Sequence, residues 1–480
     1  LTTLKQNPPA LSIYRRIDVG LTFDVSIRNY KTAAASSNNS QKETKCYFDN
    51  FGYIGTVKLN GAMSNFNWGV SYNRLNSFDR LSQGYTNPTS TSLSNYIASY
   101  TQGANSADLL FTDSYNPYTQ SNEDWLSILA YNSYMINNVG NDETYAGLYK
   151  DGTVGDALYK THEWGYTDEY NIDFGGNISD IVYWGLGVGI VDMQYNREAI
   201  YSESMENAAI YDPAMDNIAS GNAGFTLYNR KSITGTGANL KFGLIIRPID
   251  EIRLGVAIHT PTWLHLNHYG TADVDPYNYT PNGSDHTLSG NDYTDDYDYD
   301  SRLHSPWRFM VGASTVIGGR AILSIDYERV AYNDMKMKQQ NFDRFGSSFV
   351  SNEYANQDIK DYFKAANIIR IGAEYRLTSH WSVRAGYNYQ SSSVKSEAAN
   401  GSMMIYTSGT DPSYTFNNST SNISFGLGYR YKAWYIDATY QNVHRTGDYH
   451  AYTDFSGLRA PSAHVTDNYS NIVISTGFKF

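Results

Sequence analysis

The sequence has one cysteine, few prolines and no long apolar run, and each scarcity excludes a class of protein. Cys46 alone cannot build a disulfide framework within the chain or a multi-cysteine zinc site. The longest apolar stretch, 182–191, has the length of one membrane strand and is far short of the ~20 residues of a transmembrane helix. Only 12 prolines, beside 44 tyrosines and 39 glycines in 480 residues, argue against a set of ordinary soluble domains.

Positive charge is also scarce. The net charge is −12, which disfavours nucleic acid and anionic membrane surfaces as partners. Mean hydropathy is −0.50 although 41% of the residues are hydrophobic, so apolar residues are spread thinly along the chain. Eight of the aspartates lie in 273–300, a segment without Lys, Arg or Glu.

Apolar and other residues alternate along many segments, which is the pattern of a strand with two different faces. Ile252, Leu254, Val256 and Ile258 alternate with Arg253, Gly255, Ala257 and His259. In several segments one face carries Gly, Arg, Glu and Asp, and the other ends in Trp or Tyr. An apolar outer band with aromatic girdles and a polar interior is what a barrel in lipid requires. Only a closed barrel satisfies all backbone groups there without helices.

Fourteen such segments are predicted. They are 16–30, 49–60, 66–76, 162–177, 179–200, 223–248, 250–275, 300–317, 320–338, 364–377, 380–396, 421–431, 433–452 and 468–480. Six connections are short, near residues 60–65, 177–180, 247–251, 317–320, 376–381 and 431–434, and the others are long, above all 77–161. This asymmetry is typical of bacterial barrels, with the short turns in the periplasm. The last strand ends on an aromatic residue, Phe480, which resembles the assembly signal of outer-membrane barrels.

The sequence therefore predicts an all-β fold: a transmembrane, antiparallel up-and-down β-barrel of 14 strands in the bacterial outer membrane. Long extracellular loops, one of them partly helical, would face short periplasmic turns. The chain begins at Leu1 without a basic region or an apolar region, so we expect a secretory signal to have been removed.

Several stretches resemble the FadL/TodX family of outer-membrane transporters for hydrophobic compounds, in a form like those of the Bacteroidetes. Residues 7–11, Asn-Pro-Pro-Ala-Leu, are similar to the Asn-Pro-Ala-Gly-Leu motif that joins the family's N-terminal hatch to the first strand. Residues 247–261, 325–336 and 369–389 resemble its later strand pairs. Two residues depart from the motif, Pro9 in place of Ala and Ala10 in place of Gly.

The resemblance implies a division of the chain. Residues 1–15 would be the remnant of the hatch and its linker, with Asn7 and Pro8 in the hatch motif. Residues 16–480 would be the barrel, with 77–161 inserted as a partly helical extracellular loop. The rest of the hatch, which folds inside the barrel in the family, is not part of this sequence.

The long loop is the first candidate ligand site. Leu93, Tyr96, Ile97 and Tyr100 follow one helical face, and Ser121 with Asp124 resembles a capping box before a second helix. That second helix would carry Trp125, Ile128, Leu129, Met135 and Ile136. The resemblance implies an apolar groove between the two helices in which a lipid-like molecule first binds. The alternative is that these faces pack only against each other and the barrel rim.

The acidic segment 273–300 is a second candidate, because Asp295, Asp296, Asp298 and Asp300 could supply hard oxygen ligands to calcium. No EF-hand spacing is present, and the alternative is a solvated loop. We expect no other cofactor.

Charges expected on the lumen side of the strands form a third group. They are Arg253, His259, Asp326, Glu328, Arg370, Glu374, Arg384 and Asp437. Inside a barrel such charges must be paired, so we expect ion pairs across strands in preference to a ligand-binding role.

Motifs of catalysis are missing: the sequence has no G-x-S-x-G, no H-E-x-x-H and no phosphate-binding loop. We expect no enzyme activity. The first hypothesis is passive uptake of hydrophobic small molecules, either long-chain fatty acids or aromatic compounds, with outer-membrane lipid around the barrel. The alternative is a FadL-like barrel that serves as a structural or accessory subunit of a larger outer-membrane secretion or assembly complex.

Overall fold

The computed structural model of the chain describes residues 7–212, 217–281, 292–343, 346–407 and 409–480. Within these residues, strands cross the barrel fourteen times and every crossing is antiparallel to its neighbours. The first and last strands pair from Asp18↔Lys479 to Ala34↔Ala463, which closes the barrel. The crossings are β1 (Asp18–Ala34), β2 (Ser37–Lys58), β3 (Met63–Ser77) with β4 (Arg80–Thr86), β7 (Val154–Ile178), β8 (Val182–Asp212), β9 (Asn217–Ile249), β10 (Ile252–His259) with β11 (Trp263–Pro281), β13 (Tyr297–His304) with β14 (Arg308–Ile317), β15 (Ala321–Val330) with β16 (Lys336–Asp343), β18 (Ala366–Arg376), β19 (Trp381–Gln390), β20 (Tyr414–Tyr431), β21 (Trp434–His450) and β22 (Ser462–Lys479).

The remaining elements lie between these crossings. The short strands are β5 (Asn137–Asn138), β6 (Tyr145–Ala146), β12 (Asp292–Tyr293) and β17 (Gly346–Ser351). The α-helices are α1 (Leu93–Thr101), α2 (Ser106–Leu109), α3 (Pro117–Gln120), α4 (Trp125–Asn132), α5 (Glu353–Tyr362) and α6 (Ser396–Ala399), and 3-10 helices span Pro8–Ile13 and Tyr332–Asp334. Among the described residues, no helix has the length and apolar character needed to cross a bilayer.

Two of the interrupted crossings break at proline. Pro261 lies between β10 and β11, and Pro306 lies between β13 and β14. Proline has no backbone N–H to give to the ladder, so neighbouring strands both bend at this height of the wall.

The six short turns predicted from the sequence are present at one end of the barrel. Ser179 and Asp180 in the turn before β8 have positive φ of 53° and 58°. Such backbone matches the right-handed twist of paired strands, and it is the geometry of a tight hairpin.

The outward side chains of the strands form an apolar belt. Leu254, Val256 and Ile371, the positions that the alternation assigns to lipid, are 49%, 50% and 51% exposed. Large aromatic side chains, among them Trp263 and Trp381, are exposed on the same outer face. A band of exposed apolar residues around a closed barrel is stable only in lipid, so the predicted strand phase is confirmed.

The strands extend further on the extracellular side than the sequence pattern predicts. The predicted loop between 30 and 49 is a tight turn at 35–36, because β1 and β2 continue as a ladder up to Ala34↔Ser37. Here the outward residues Asn38, Ser40 and Lys42 are polar, and they are exposed. A strand above the membrane no longer needs an apolar face, so it lacks the alternation on which the prediction depends. Likewise the predicted loop 77–161 is confined to 87–153, since β4 and β7 occupy both its ends.

Candidate functional site

The N-terminal segment lies inside the barrel. Leu11 and Ser12 are fully buried, and Ser12 Oγ donates a 2.6 Å hydrogen bond to the carbonyl oxygen of Trp184 on β8. From β3, Asn67 Nδ2 donates to the carbonyl oxygen of Tyr14 at 2.9 Å, and Asn65 Nδ2 donates to that of Ser12 at 3.3 Å. The segment 7–14, which includes the hatch-motif residues Asn7 and Pro8, therefore occupies the lumen as a plug.

Glycines of the wall make room for this plug. Gly175, Gly185 and Gly243 stand directly opposite one another on β7, β8 and β9. A β-carbon at Gly185 would lie 2.3 Å from the carbonyl carbon of Pro8, and one at Gly175 would lie 2.3 Å from Ser12 Oγ. Both distances are far below van der Waals contact. These residues were missed at the level of sequence, although three glycines at the same height on neighbouring strands were a usable signal.

Five of the eight predicted lumen charges form ion pairs between strands. Glu328 on β15 accepts from Arg370 and from Arg308 at 2.6 Å each. Arg384 on β19 donates to Glu374 at 2.8 Å and to Asp437 at 2.5 Å. Glu328 is almost fully buried, and two arginines compensate its charge. These networks fill one side of the lumen.

The other three predicted charges also lie inside the barrel. Arg253 and Asp326 line a cavity of about 260 Å³, together with Arg370 and with Asn7 of the plug. His259 is buried at the end of β10. The plug thus borders a lumen cavity whose walls carry charge of both signs.

The barrel wall is interrupted at its third crossing. The ladder between β2 and β3 ends at Asn50↔Asn73, and β4 pairs only with β7 among the described residues. Instead of continuing along β2, β4 bends inward, where the Gln83 amide donates to Thr32 Oγ1 of β1 at 3.4 Å. We call this interruption, between β2 and residues 74–79, the seam.

Side chains hold the seam together in place of a ladder. The carboxylate of Asp79 accepts from Lys45 Nζ at 2.6 Å and from the Tyr47 hydroxyl at 2.5 Å, both on β2. Its carbonyl oxygen accepts from Arg28 Nη1 at 2.6 Å. Side-chain bonds can open without a strand ladder being broken, so the seam is the weakest line in this part of the wall.

A second lumen cavity reaches the seam. Its volume is about 520 Å³, and it is lined by residues of β1, β2, β3, β21 and β22. Leu75, Asn76 and Ser77 of the seam form part of the wall, while Arg28 and Tyr469 face them. The guanidinium of Arg28 lies 5.0 Å from the centre of the Tyr469 ring. The lining is mainly polar and charged, with Asp24, Asp49, Arg74 and Arg445 beside the aromatic rings of Tyr47 and Tyr469, next to an interruption of the barrel.

The long loop forms an extracellular cap over the barrel. The predicted apolar face of α1 is present, but Leu93 and Ile97 are fully buried. On α4, Ile128 and Leu129 are fully buried as well, and a hydrogen bond of 2.7 Å joins Thr101 Oγ1 of α1 to Ser127 Oγ of α4.

The groove predicted between these helices is therefore wrong for this structure. Leu93, Tyr96, Ile97, Ile128, Leu129, Met135 and Ile136 belong to one buried cluster, with Trp125 packed against it, and Tyr100 is partly exposed at its edge. Helical periodicity shows which face is apolar, but it does not show whether that face stays open. The predicted capping box is also absent: Asp124 is the N-cap of α4, Ser121 bonds the Glu123 amide, and Met135 and Ile136 follow the helix.

A buried carboxylate fastens the cap to the wall. Glu203, in the extracellular part of β8, accepts from the Leu93 amide at 2.8 Å, from Tyr201 Oη at 2.6 Å and from Ser92 Oγ, the N-cap of α1. Burial raises the pKa of Glu203 to about 7, against the hydrogen bonds that lower it.

An open cavity does exist on the cap, beside the predicted groove. It has a volume of about 890 Å³ and lies between the loop and the β8–β9 hairpin. Most of its lining is polar and comes from Ser106, Asn132, Asn137, Asn138, Asn141 and Asp142. Apolar or aromatic lining is contributed by Leu110, Tyr131, Tyr134, Val139 and Ile218. We call it the cap cavity.

The four candidate calcium ligands bond to protein donors. Asp295 accepts from Asn116 at 2.8 Å, Asp296 from Tyr269 at 2.8 Å, and Asp298 and Asp300 from Asn267 at 2.7 and 3.2 Å. Across the described ranges, no three His, Cys, Asp or Glu side chains are grouped so that they could hold a metal ion. Residues 282–291 of the acidic segment lie outside those ranges. The calcium site gains no support from this arrangement.

No protein-family model matches the chain, and no curated protein sequence matches it. Solved structures do resemble it. A Pseudomonas aeruginosa FadL homologue superimposes with a TM-score of 0.53 at 13% identity, covering 100% of this chain and 94% of the other. The chain has the FadL fold. A TodX deltaS2S3 mutant, described as a monoaromatic hydrocarbon channel, gives 0.51 at 14% identity with the same coverage. The deltaS2 mutant of TodX gives 0.51 at 13% identity, again covering 100% and 94%.

The FadL fold and the apolar belt agree on where the chain resides. A closed barrel of fourteen strands with a lipid-facing band is the architecture of the bacterial outer membrane. Two of the similar structures, the TodX mutants, are described as monoaromatic hydrocarbon channels.

Proposed function

We propose that the chain is a passive outer-membrane channel for hydrophobic small molecules, either long acyl chains or aromatic compounds. The observation that carries the proposal is the seam beside the 520 Å³ lumen cavity. The names of structurally similar channels, which include a monoaromatic hydrocarbon channel, add support.

A sideways path suits such a solute better than a path straight through the barrel. Towards the periplasm the lumen holds the plug and the Arg384 ion pairs. An apolar molecule that displaced these groups would leave charges unpaired, which is costly. At the seam one ion pair, between Asp79 and Lys45, and the hydrogen bonds of Asp79 must open, and no strand ladder is broken.

Capture is assigned to the cap cavity in place of the closed groove. Leu110, Val139 and Ile218 are 46%, 41% and 39% exposed. Exposed apolar side chains around a concave surface are the usual lining of a small-molecule site.

Blocking the seam tests this route. Asn76→Trp with Ser77→Trp places two large side chains in the cavity wall at the seam. The matched control, Ser314→Trp with Ser324→Trp, fills the 260 Å³ cavity on another side of the lumen. We expect uptake of a fluorescent fatty acid or an aromatic dye to fall at least several-fold with the seam variant and to persist with the control. Equal uptake by the seam variant and the wild type would exclude the sideways route.

The tall cap favours one alternative, a role as subunit of a larger outer-membrane complex. β8 and β9 have 31 and 33 residues, well beyond the 9–11 or so that cross a bilayer, and they carry the cap core. Co-purification separates the two functions: a stoichiometric protein partner would favour docking, whereas bound lipid in an isolated barrel would favour transport.

A further inference from the structure

One sector of the barrel wall carries basic side chains on neighbouring strands. Arg302 and His304 on β13 stand directly opposite Lys338 and Lys336 on β16, and His265 on β11 stands opposite Arg302. Residues directly opposite in an antiparallel pair share one face of the sheet. We call this group the basic patch.

The basic patch is on the outer face of the barrel. Trp263, directly opposite His304, is exposed, whereas its neighbour Leu264 is buried in a cluster with Val191. Val191 shares the lumen face of β8 with Gly185, which contacts the plug. The patch therefore points away from the lumen, like Trp263.

Its height coincides with the upper edge of the apolar belt. Trp263, Trp307 and Phe309 are exposed aromatic side chains at the outer ends of β10–β11 and β14. Aromatic side chains mark the boundary between hydrocarbon and headgroups. Arg302 and Lys338 lie two residues further out along their strands than His304 and Lys336, so the patch is at headgroup level.

Most of the positive charge of the patch is unpaired: no described carboxylate forms an ion pair with Arg302, Lys336 or Lys338. The guanidinium of Arg302 lies over the ring of Phe349 at 4.1 Å, and Asp300 reaches only the edge of the patch, with Oδ2 3.7 Å from His265 Nε2. Like charges directly opposite each other destabilise a strand pair.

We propose that the basic patch binds the phosphate groups of a phosphorylated lipid in the outer leaflet of the membrane. Ammonium and guanidinium groups form charge-assisted hydrogen bonds with phosphate, and clusters of basic residues beside a membrane commonly bind anionic headgroups. Phe349 and Trp263 supply apolar contact on either side of the charges. The lipid would fix this sector of the wall in the membrane whatever solute the channel carries.

Lipid binding to the purified full chain tests the site. Delipidated protein in detergent is titrated with diphosphoryl lipid A, and the bound lipid is counted by native mass spectrometry. A triple variant, Arg302→Gln with Lys336→Gln and Lys338→Gln, should bind the lipid on the order of 100-fold more weakly, because each lost charge lowers the affinity roughly five-fold. The control triple Lys58→Gln, Arg320→Gln and Lys432→Gln removes the same charge from the periplasmic turns and should bind as the wild type does.

Two further arms identify the ligand. Lipid A without phosphate should bind weakly, and a large excess of inorganic phosphate should not displace the diphosphoryl lipid. Any of four results would overturn the proposal. The patch triple variant could bind the lipid as well as the wild type does, or the control triple could lose as much affinity as the patch triple. The dephosphorylated lipid could bind as well as the diphosphoryl lipid, or free phosphate could displace the diphosphoryl lipid. Should the triple variant not fold, Lys338→Gln alone, at a surface position, should still lower the affinity roughly five-fold.

Discussion

Gly185 on β8 and Pro8 of the plug are in such close contact that a β-carbon on the glycine would stand 2.3 Å from the carbonyl carbon of the proline. Gly185 is itself flanked by Gly175 and Gly243 on the neighbouring strands, so the inner surface of the wall is complementary in shape to the plug. The position of the plug is therefore determined by the strands as much as by the N-terminal segment.

Gly185→Ala should loosen the plug without opening the barrel. Overpacking costs about 1–3 kcal/mol, and the plug can relieve it by moving away. We expect amide hydrogen exchange in residues 10–14 to become at least several-fold faster, with exchange in β7 and β9 unchanged. Gly255→Ala is the control, because its β-carbon would meet no atom nearer than 3.5 Å. Unchanged exchange in Gly185→Ala would contradict the fit.

Leu254→Arg tests the lipid-facing phase of the strands. Leu254 is in the apolar belt, and an arginine near the bilayer midplane costs roughly 2–4 kcal/mol. Ser324→Arg, on the lumen side of β15 in the wall of the 260 Å³ cavity, should be better tolerated. Chemical unfolding in lipid vesicles measures both. Should Leu254→Arg unfold at the same denaturant concentration as the wild type, the strand phase would be wrong.

The attachment of the cap should depend on pH through Glu203. Its pKa is raised from 4.5 to about 7 by burial, so the folded cap holds a proton more tightly than the unfolded chain does. The free energy of local cap unfolding should therefore fall as pH rises from about 4.5 to 7, by roughly 3 kcal/mol in total.

Limited proteolysis of residues 87–153 across this pH range measures the effect. Glu203→Gln keeps an oxygen acceptor for the Leu93 amide but does not titrate, and it should reduce the pH dependence. A variant with the same pH profile as the wild type would rule out Glu203 as the titrating group.

The cap cavity predicts a specific loss of capture. Leu110→Ser, Val139→Ser and Ile218→Ser remove three exposed apolar side chains from its lining. Partial burial of ligand against each side chain is worth about 1 kcal/mol, so affinity for a hydrophobic probe should fall at least tenfold while the barrel still folds. Leu458→Ser, at an exposed position elsewhere on the extracellular side, is the control. Unchanged probe binding would show that capture occurs elsewhere.

The parts of the fold that lie in lipid were predictable from the sequence. Leu254 and Val256 alternate with Arg253 and Gly255 because lipid and lumen impose opposite chemistry on the two faces. Above the membrane that constraint ends, so the alternation does not predict the ladder that contains Asn38 and Lys42. The pairing of Arg384 with Glu374 was expected in kind, since charges in a lumen must be compensated.

The site was less predictable because it depends on contacts between distant parts of the chain. Leu93 and Ile128 lie on helix faces whose pattern fits either a lipid-binding surface or a hydrophobic core. Only the structure, in which the two faces pack together, shows that they form a core. The register that brings Arg302 opposite Lys338 has no local signature in the sequence.

The proposed function of the chain is passive admission of hydrophobic molecules through the outer membrane. Its most direct test is the initial uptake of a radiolabelled fatty acid or aromatic hydrocarbon by intact cells. Three kinds of cell are compared: cells that lack the chain, cells with the wild-type chain, and cells with the Asn76→Trp, Ser77→Trp variant at the same surface density. We predict that wild-type uptake rises in proportion to the outside concentration, survives de-energising of the cell, and falls to the level of cells without the chain when the seam is blocked. Uptake that is no faster with the wild-type chain than without it would contradict the proposed function.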